Sequence, residues 1–225
     1  MERADLAGLW PLFGLCVRTP VLELRYPDDH DLAALASLSG DIHDDDFLPF
    51  SGTWSLLPDG ERERAVLQYH WGRRGDFSAA SWRLELVVVV DGEVVGTQGA
   101  IASDYAITRT LETGSWLGRA HQGKGLGKEM RAAILHLAFE GLGALRADTG
   151  AVEGNAASLA VTARMGYQAN GDSIDATNGV RTRLLRFTLE RDAWLRARRD
   201  DIEVVGLEPC LELFGLGTSP GDEIA

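Results

Sequence analysis

The chain has 225 residues, of which 45% are hydrophobic and 25% charged, and its formal net charge is -12 at pH 7. This length and balance suit one well-buried domain, with two small ones as the alternative. The acidic surplus argues against duplex DNA or an anionic membrane as the main partner. It suits an amine-bearing, cationic substrate, and it is equally the charge of a protein that is merely soluble. Cys16 and Cys210 stand far apart and in no metal-ligand spacing, which points to a reduced, cytoplasmic compartment and no metal. Glu2, Arg3 and Asp5 interrupt the N-terminus, so no signal peptide is expected. The longest apolar stretch, Leu86 to Val90, is far too short to cross a bilayer.

Residues Met1 to Pro20 form an apolar lead-in expected to pack on the domain. Val21 to Tyr26 alternates as a strand, which Pro27 ends. Asp28-Asp29-His30-Asp31 offers capping groups for a helix through Leu32, Leu35, Ala36 and Leu38. Asp41 to Ser55 is an acidic and aromatic loop, and Glu61 to Trp71 a second helix with Val66, Tyr69 and His70 on or near one face. Trp82 to Val90 reads as a strand whose apolar run implies burial on both faces. Asp91-Gly92 is a hairpin turn. Glu93 to Ala102 is the partner strand, and Ile107 to Leu117 a third antiparallel one.

Gln122 to Gly127 is a glycine-rich turn, followed by Leu126, Met130, Ile134, Leu137 and Ala138 at helical spacing. Ala144 to Thr149 is a short strand. Asn155 to Met165 is a helix with Leu159 and Val161 inward, ended by Gly166. A strand entered at Gly166-Tyr167-Gln168 and another over Thr182 to Leu189 complete the order, and Trp194 to Arg199 is a charged helix. Residues 1–200 make the expected domain, and 201–225 an appendage with a mobile tail from Gly217.

A glycine-rich turn that opens a helix directs several unpaired N–H groups and the positive end of the helix dipole at one spot, a geometry that holds phosphates. Lys124 and Lys128 add positive charge beside it. A Walker A loop requires a hydroxyl where Gly125 stands, and a Rossmann fingerprint requires different glycine spacing directly after a first strand. Gln122, Gly123, Lys124, Gly125, Leu126 and Gly127 instead fit the Gln/Arg-x-x-Gly-x-Gly/Ala pattern.

That pattern resembles the acyl-CoA-binding motif of the GNAT N-acyltransferases. Glu112 to Leu117, Asn155-Ala156-Ala157-Ser158 and Arg164-Met165-Gly166-Tyr167 agree with it, as does the order of elements. The resemblance runs from about Thr19 to Trp194 and is nearest the RimJ/RimL-like branch of actinobacterial type. It implies an α/β (α+β) fold with a mixed, mostly antiparallel central sheet, splayed at the acyl-CoA site and flanked by helices.

It also implies roles. The backbone of Gln122 to Lys128 would cradle the CoA pyrophosphate, where a Cβ would hold the phosphates away. Trp116 and Leu117 would pair with the pantetheine arm like an added strand, one N–H polarising the thioester carbonyl. Asn155 would contact the pantetheine, and its residue type also suits a helix N-cap. Glu112 stands where relatives place a glutamate, as a base acting through a water; a surface ion pair is the other reading. Many GNAT enzymes carry a tyrosine seven residues after the asparagine to protonate the leaving thiolate. This chain has Thr162 there, leaving Ser158 as the available hydroxyl. Glu129 reads as a dipole-stabilising or structural residue. His43, Asp44, Asp45 and Asp46 would lie over the acceptor side, or form a solvated loop.

The implied activity is transfer of an acyl group, acetyl first, from acyl-CoA to a small amine or a protein N-terminus. A succinyl-CoA-dependent enzyme and a non-catalytic acyl-CoA-binding module are the alternatives. The apolar ends, Leu9 to Val17 and Val204 to Leu216, would form a large exposed patch unless covered, which leads to the expectation of a homodimer.

Overall fold

The computed structural model describes residues 3–44 and 47–217. Helix α1 (Arg3–Ala7) and a 3-10 turn lead into a hairpin of β1 (Cys16–Arg18) and β2 (Glu23–Arg25). Thr19 closes the hairpin: its Oγ1 accepts from the N–H groups of Val21 at 3.2 Å and Leu22 at 3.1 Å. The lead-in therefore contributes a strand of its own.

Helix α2 (Asp29–Leu38) starts at a reciprocal cap. Asp28 Oδ1 accepts from the N–H groups of His30 and Asp31, both at 2.9 Å, and Asp31 accepts from Asp28 N–H at 3.3 Å. Helix α3 (Glu61–Gly75) runs past Trp71 because Arg73 and Arg74 suit its negative end. Strands β3 (Ser81–Val90) and β4 (Glu93–Ser103) join through Asp91 and Gly92 at φ 50° and 84°, the backbone of a tight hairpin turn. Leu86 to Val89 are buried on both faces, as their apolar run requires.

A short helix α4 (Tyr105–Thr108) precedes β5 (Thr110–Leu117). Ile107 thus lies in a helical turn, 85% exposed, and not in a strand. Then follow α5 (Leu126–His136), β6 (Arg146–Val152), α6 (Ala156–Arg164), β7 (Gln168–Thr177), β8 (Val180–Glu190), α7 (Arg191–Leu195) and β9 (Glu203–Val205). In α6 the buried residue is Thr162, while Leu159 and Val161 are only partly covered. Among the described residues the strands form one sheet in the order β7-β8-β6-β5-β4-β3-β2-β1-β9, in which only the β5–β6 pair is parallel.

The main core packs the α5 face (Met130, Ala133, Ile134) against Trp82, Tyr105 and Leu111. A second cluster on the opposite side joins Leu35, Val66, Val87 and Val89, with Trp54 and Trp116 against it.

Residues after 200 share this core. Val204 pairs with Val17, and Cys210 and Phe214 are fully buried. The Phe214 ring stands edge-on to Trp82 at 5.0 Å. Leu12, Leu15 and Val17 from the N-terminal lead-in are buried in the same cluster. Apart from Leu9, which is 77% exposed, the two apolar ends thus pack on their own domain, and their burial does not call for a second subunit. The tail residues 218–225 lie outside the described residues. No described helix is long and apolar enough to cross a membrane.

Candidate active site at the parting of two strands

Strands β5 and β6 pair only from Thr110↔Arg146 to Thr113↔Thr149. Beyond that point Gly114 to Leu117 stay with β4, while Gly150 to Val152 stay with β8. Threonines fasten the last shared rung. Thr149 Oγ1 donates to Thr113 O at 3.0 Å, and Thr113 Oγ1 donates to Asp148 O at 3.3 Å. The buried Arg131 of α5 braces Thr149 from behind at 3.1 Å. A cleft of about 1360 Å³ opens where the strands part. Its edge of unpaired β5 backbone is a template for one more extended chain.

One end of the cleft is the glycine turn. Gly123 and Gly125 take left-handed backbone at φ 71° and 86°, and a Cβ at either would meet nothing within 4 Å. Both positions are therefore open cradle rather than packed turn. Helix α5 starts at Leu126, with Gly125 as its N-cap, so the N–H groups of Leu126 and Gly127 have no acceptor within the helix. Lys128 lines the cleft, although its N–H is turned back to Gly125 O at 3.1 Å. Lys124 is exposed and outside the cleft lining.

Gln122 does something the motif alone did not disclose. Its Nε2 donates to Leu117 O at 2.8 Å and to Ile42 O at 2.7 Å. One amide thereby joins the end of β5 to the loop over the cleft. Glu129 is a structural residue, held by Arg199 at 2.7 and 2.9 Å. That arginine keeps its carboxyl below the ordinary range against the opposing effect of burial.

The middle of the cleft is lined by Trp116 and Leu117 on one side and by Asn155 and Ser158 on the other. Asn155 is the N-cap of α6, its Oδ1 accepting from Ser158 N–H at 3.0 Å. Thr162 is buried away from the cleft, with a hydroxyl that has no partner among the described residues. The hydroxyl that faces the cleft from this helix is that of Ser158.

The other end is an acidic and aromatic face. Strand alternation puts Glu112, Gly114 and Trp116 on one side of β5, opposite Ile101, Gly99 and Thr97 of β4 and Arg83, Glu85 and Val87 of β3. Glu112 is paired with Arg186, whose Nη1 is 3.3 Å from both carboxylate oxygens. Glu85 lies over Gly99, where a Cβ would come within 2.5 Å of its Oε2. Tyr69 donates to Glu85 Oε1 at 2.6 Å. Burial pushes the Glu85 carboxyl up, opposed by the Tyr69 hydrogen bond. Beside them His70 is pushed down to about 4, by burial and then by Arg74.

The aromatic wall runs His43, Phe50, Trp54, Trp116, with successive ring centroids 5.8, 5.1 and 5.8 Å apart. The acidic loop is tied down: Arg119 reaches Asp41 at 2.6 Å and Asp44 at 2.5 Å. His43 is held by Ser55 and by Asp44 O, both at 2.8 Å. Asp45 and Asp46 lie outside the described residues. Among the described residues no group of three or more His, Cys, Asp or Glu is placed to hold a metal.

The family model of the acetyltransferase (GNAT) domain matches residues 22–168. The chain belongs to the GNAT family. It is an acyl-CoA-dependent N-acyltransferase, and the mostly antiparallel sheet flanked by helices is the GNAT fold. Among solved structures it is similar to RimL, a ribosomal alpha-N-protein acetyltransferase in complex with coenzyme A. That match has 20% identity and a TM-score of 0.60, covering 78% of this chain and 97% of that one. A GCN5-related N-acetyltransferase from Brucella melitensis is similar at 16% identity and a TM-score of 0.65, with 80% of each chain covered. A GNAT-family acetyltransferase from Bacillus anthracis is similar at 14% identity and a TM-score of 0.62, covering 79% and 99%.

Of the positions expected for CoA, Trp116, Leu117, Gln122, Gly123, Gly125, Gly127, Lys128, Asn155 and Ser158 line this cleft, whereas Lys124 is exposed outside it and the Leu126 side chain is buried in the main core. Glu85 and Tyr69 also line the cleft, beyond the positions expected from the sequence. The signal for Glu85 was a lone acid between Leu84 and Leu86 in an otherwise apolar strand.

Proposed function

We propose that this GNAT enzyme transfers an acetyl group from acetyl-CoA to a primary amine, of a small molecule or a protein N-terminus, by direct attack. The observation that carries the reading is a single cleft in which the glycine-turn helix start, the free β5 edge and a carboxylate-bearing face follow one another. Acyl-CoA, when bound, supplies an activated thioester.

The chain's own residues do the rest. The open backbone at Gly123, Gly125, Leu126 and Gly127 meets the pyrophosphate, with Lys128 adding charge. The β5 edge at Trp116 and Leu117 holds the extended arm and directs an N–H at the carbonyl oxygen. Asn155 caps α6 and faces the same arm, and Ser158 is the hydroxyl available to the departing sulfur. A carboxylate of the acceptor face takes the amine proton; among the described residues the sheet offers Glu112, singled out by the sequence, and Glu85, while Asp44 of the loop is engaged by Arg119.

Acetyl is placed first and succinyl second; a succinyl group would bring a carboxylate to pair with a cation of the cleft, and Arg119 is already paired with Asp41 and Asp44 while Arg131 and Arg164 also line it. The similarity to a ribosomal alpha-N-protein acetyltransferase, and with it the RimJ/RimL-like assignment, makes a protein N-terminus one acceptor to test. A cytoplasmic location and a homodimer complete the proposal. The packed chain ends no longer support the dimer, and light scattering on the full-length chain decides it. The test of the activity is thiol release from acetyl-CoA across a panel of primary amines and short peptides with free N-termini.

A further inference from the structure

Of the two carboxylates that β3 and β5 place on the acceptor face, Glu85 and Glu112, one is held in an ion pair and the other is not, among the described residues. Arg186 spans both oxygens of Glu112 and reaches it from β8. Glu85 forms no ion pair among the described residues, and its hydrogen bond is the one donated by Tyr69. The other charged or titratable groups around it among the described residues are Tyr26 after β2, His70, Arg73 and Arg74 of α3, and Arg83 on its own strand, of which Arg83 and Arg73 favour the charged form. Gly99 opposite adds none.

The register decides where Glu85 points. Glu85, Gly99 and Gly114 form one row across β3, β4 and β5. The two glycines leave that row bare, and nothing within 4 Å would meet a Cβ on Gly114. Neighbouring strands lie about 4.8 Å apart, and the Glu85 side chain already spans the first interval by lying over Gly99. Its carboxylate is thus about one strand spacing from the open edge of β5, within reach of one bridging water. Glu112 stands in the next row, opposite Ile101, and its ion pair ties it to β8.

We propose that Glu85, oriented by Tyr69, is the group that takes the proton from the acceptor amine, while the Glu112–Arg186 pair forms a fixed wall beside it. The inference rests on the N-acyltransferase reading above. The amine nitrogen forms the new C–N bond to the thioester carbonyl carbon, the C–S bond breaks, and CoA leaves as its thiolate. The amine proton passes to Glu85, directly or through one water, and solvent protonates the thiolate. Desolvation of the Glu85 carboxylate brings its pKa nearer the working pH, which favours a base.

The test compares Glu85→Gln, Glu112→Gln and Tyr69→Phe with the wild type. Each is assayed with acetyl-CoA and the best primary amine from the thiol-release panel. Glu85→Gln is expected to lower kcat by about 100-fold or more and to remove the acid limb of the pH–rate profile, with acetyl-CoA affinity unchanged. Glu112→Gln, which breaks the ion pair of the wall, is expected to keep that limb at its wild-type position whatever it does to the rate. Tyr69→Phe removes a donor to the ionised carboxylate, so its acid limb moves to higher pH.

A second readout needs no turnover. The raised pKa means that the ionised carboxylate costs stability as pH rises through the folded-state pKa and costs nothing below the unfolded one. Glu85→Gln should therefore melt higher than wild type at pH 7 and at the same temperature near pH 4. An active wild type whose Glu85→Gln variant keeps rate and limb, a limb lost in Glu112→Gln, or a melting difference that does not change with pH overturns the assignment. A wild type that releases no thiol with any amine overturns the transferase reading, and this inference with it.

Discussion

Gln122 and Leu117 are joined side chain to backbone, Nε2 to O at 2.8 Å, and the same nitrogen holds Ile42 O at 2.7 Å. The end of β5 and the loop over the acceptor face are therefore bridged by one amide, beside the Arg119 contacts to Asp41 and Asp44. Gln122→Ala leaves two carbonyls without their donor, at a cost of about 1–2 kcal/mol. Thermal unfolding should show that loss, and calorimetry should show weaker acetyl-CoA binding through a displaced β5 edge. Unchanged values in both would make the tether incidental.

Gly125 is left-handed at φ 86° and faces open space. Gly125→Val puts a branched side chain where phosphate oxygens approach the backbone. Acetyl-CoA affinity should fall by at least about 10-fold, with about 1–3 kcal/mol of strain at that φ. Calorimetry alongside far-UV circular dichroism separates lost binding from lost fold. Unchanged affinity would end the assignment of the turn.

Gly99 gives Glu85 its place. In Gly99→Ala the new methyl lies within 2.5 Å of where Glu85 Oε2 now sits, so the carboxylate must turn away. Turnover should fall by about 10-fold, less than the roughly 100-fold at the low end for outright loss of a positioned base because the carboxylate is displaced and not removed, while acetyl-CoA binding holds. A rate equal to wild type would show that the carboxylate works equally well elsewhere.

Phe214 is fully buried and edge-on to Trp82 at 5.0 Å. Phe214→Ala should cost about 3–5 kcal/mol in chemical denaturation, as a buried aromatic does. A loss under about 1 kcal/mol, the range of surface substitutions, would mean that the segment after 200 is not part of the cooperative unit.

Much of this arrangement is readable from residue order. The helical spacing of Met130 and Ile134 behind the glycines, the Asp28 cap and the Asp91-Gly92 turn are local signals, and each forms where it is expected. The parting of β5 and β6 followed from the family resemblance rather than from any local pattern. Strands β1 and β9 escaped because three residues are too few to show a period of two, and their pairing joins the two chain ends. Glu85 escaped for a related reason. Its partner Tyr69 sits on α3, and only the packing of that helix on β3 brings the two together.

Transfer of an acyl group through this cleft leaves two products that can be counted together. Full-length protein is incubated with acetyl-CoA and a primary amine from the panel. Free CoA thiol and acylated amine are then quantified together by mass spectrometry. Equal amounts of both, formed only when both substrates are present and lost in Gly125→Val, are the expected result. Acetyl-CoA bound tightly but recovered intact, with no acylated product from any amine, would contradict it and leave an acyl-CoA-binding module in place of an enzyme.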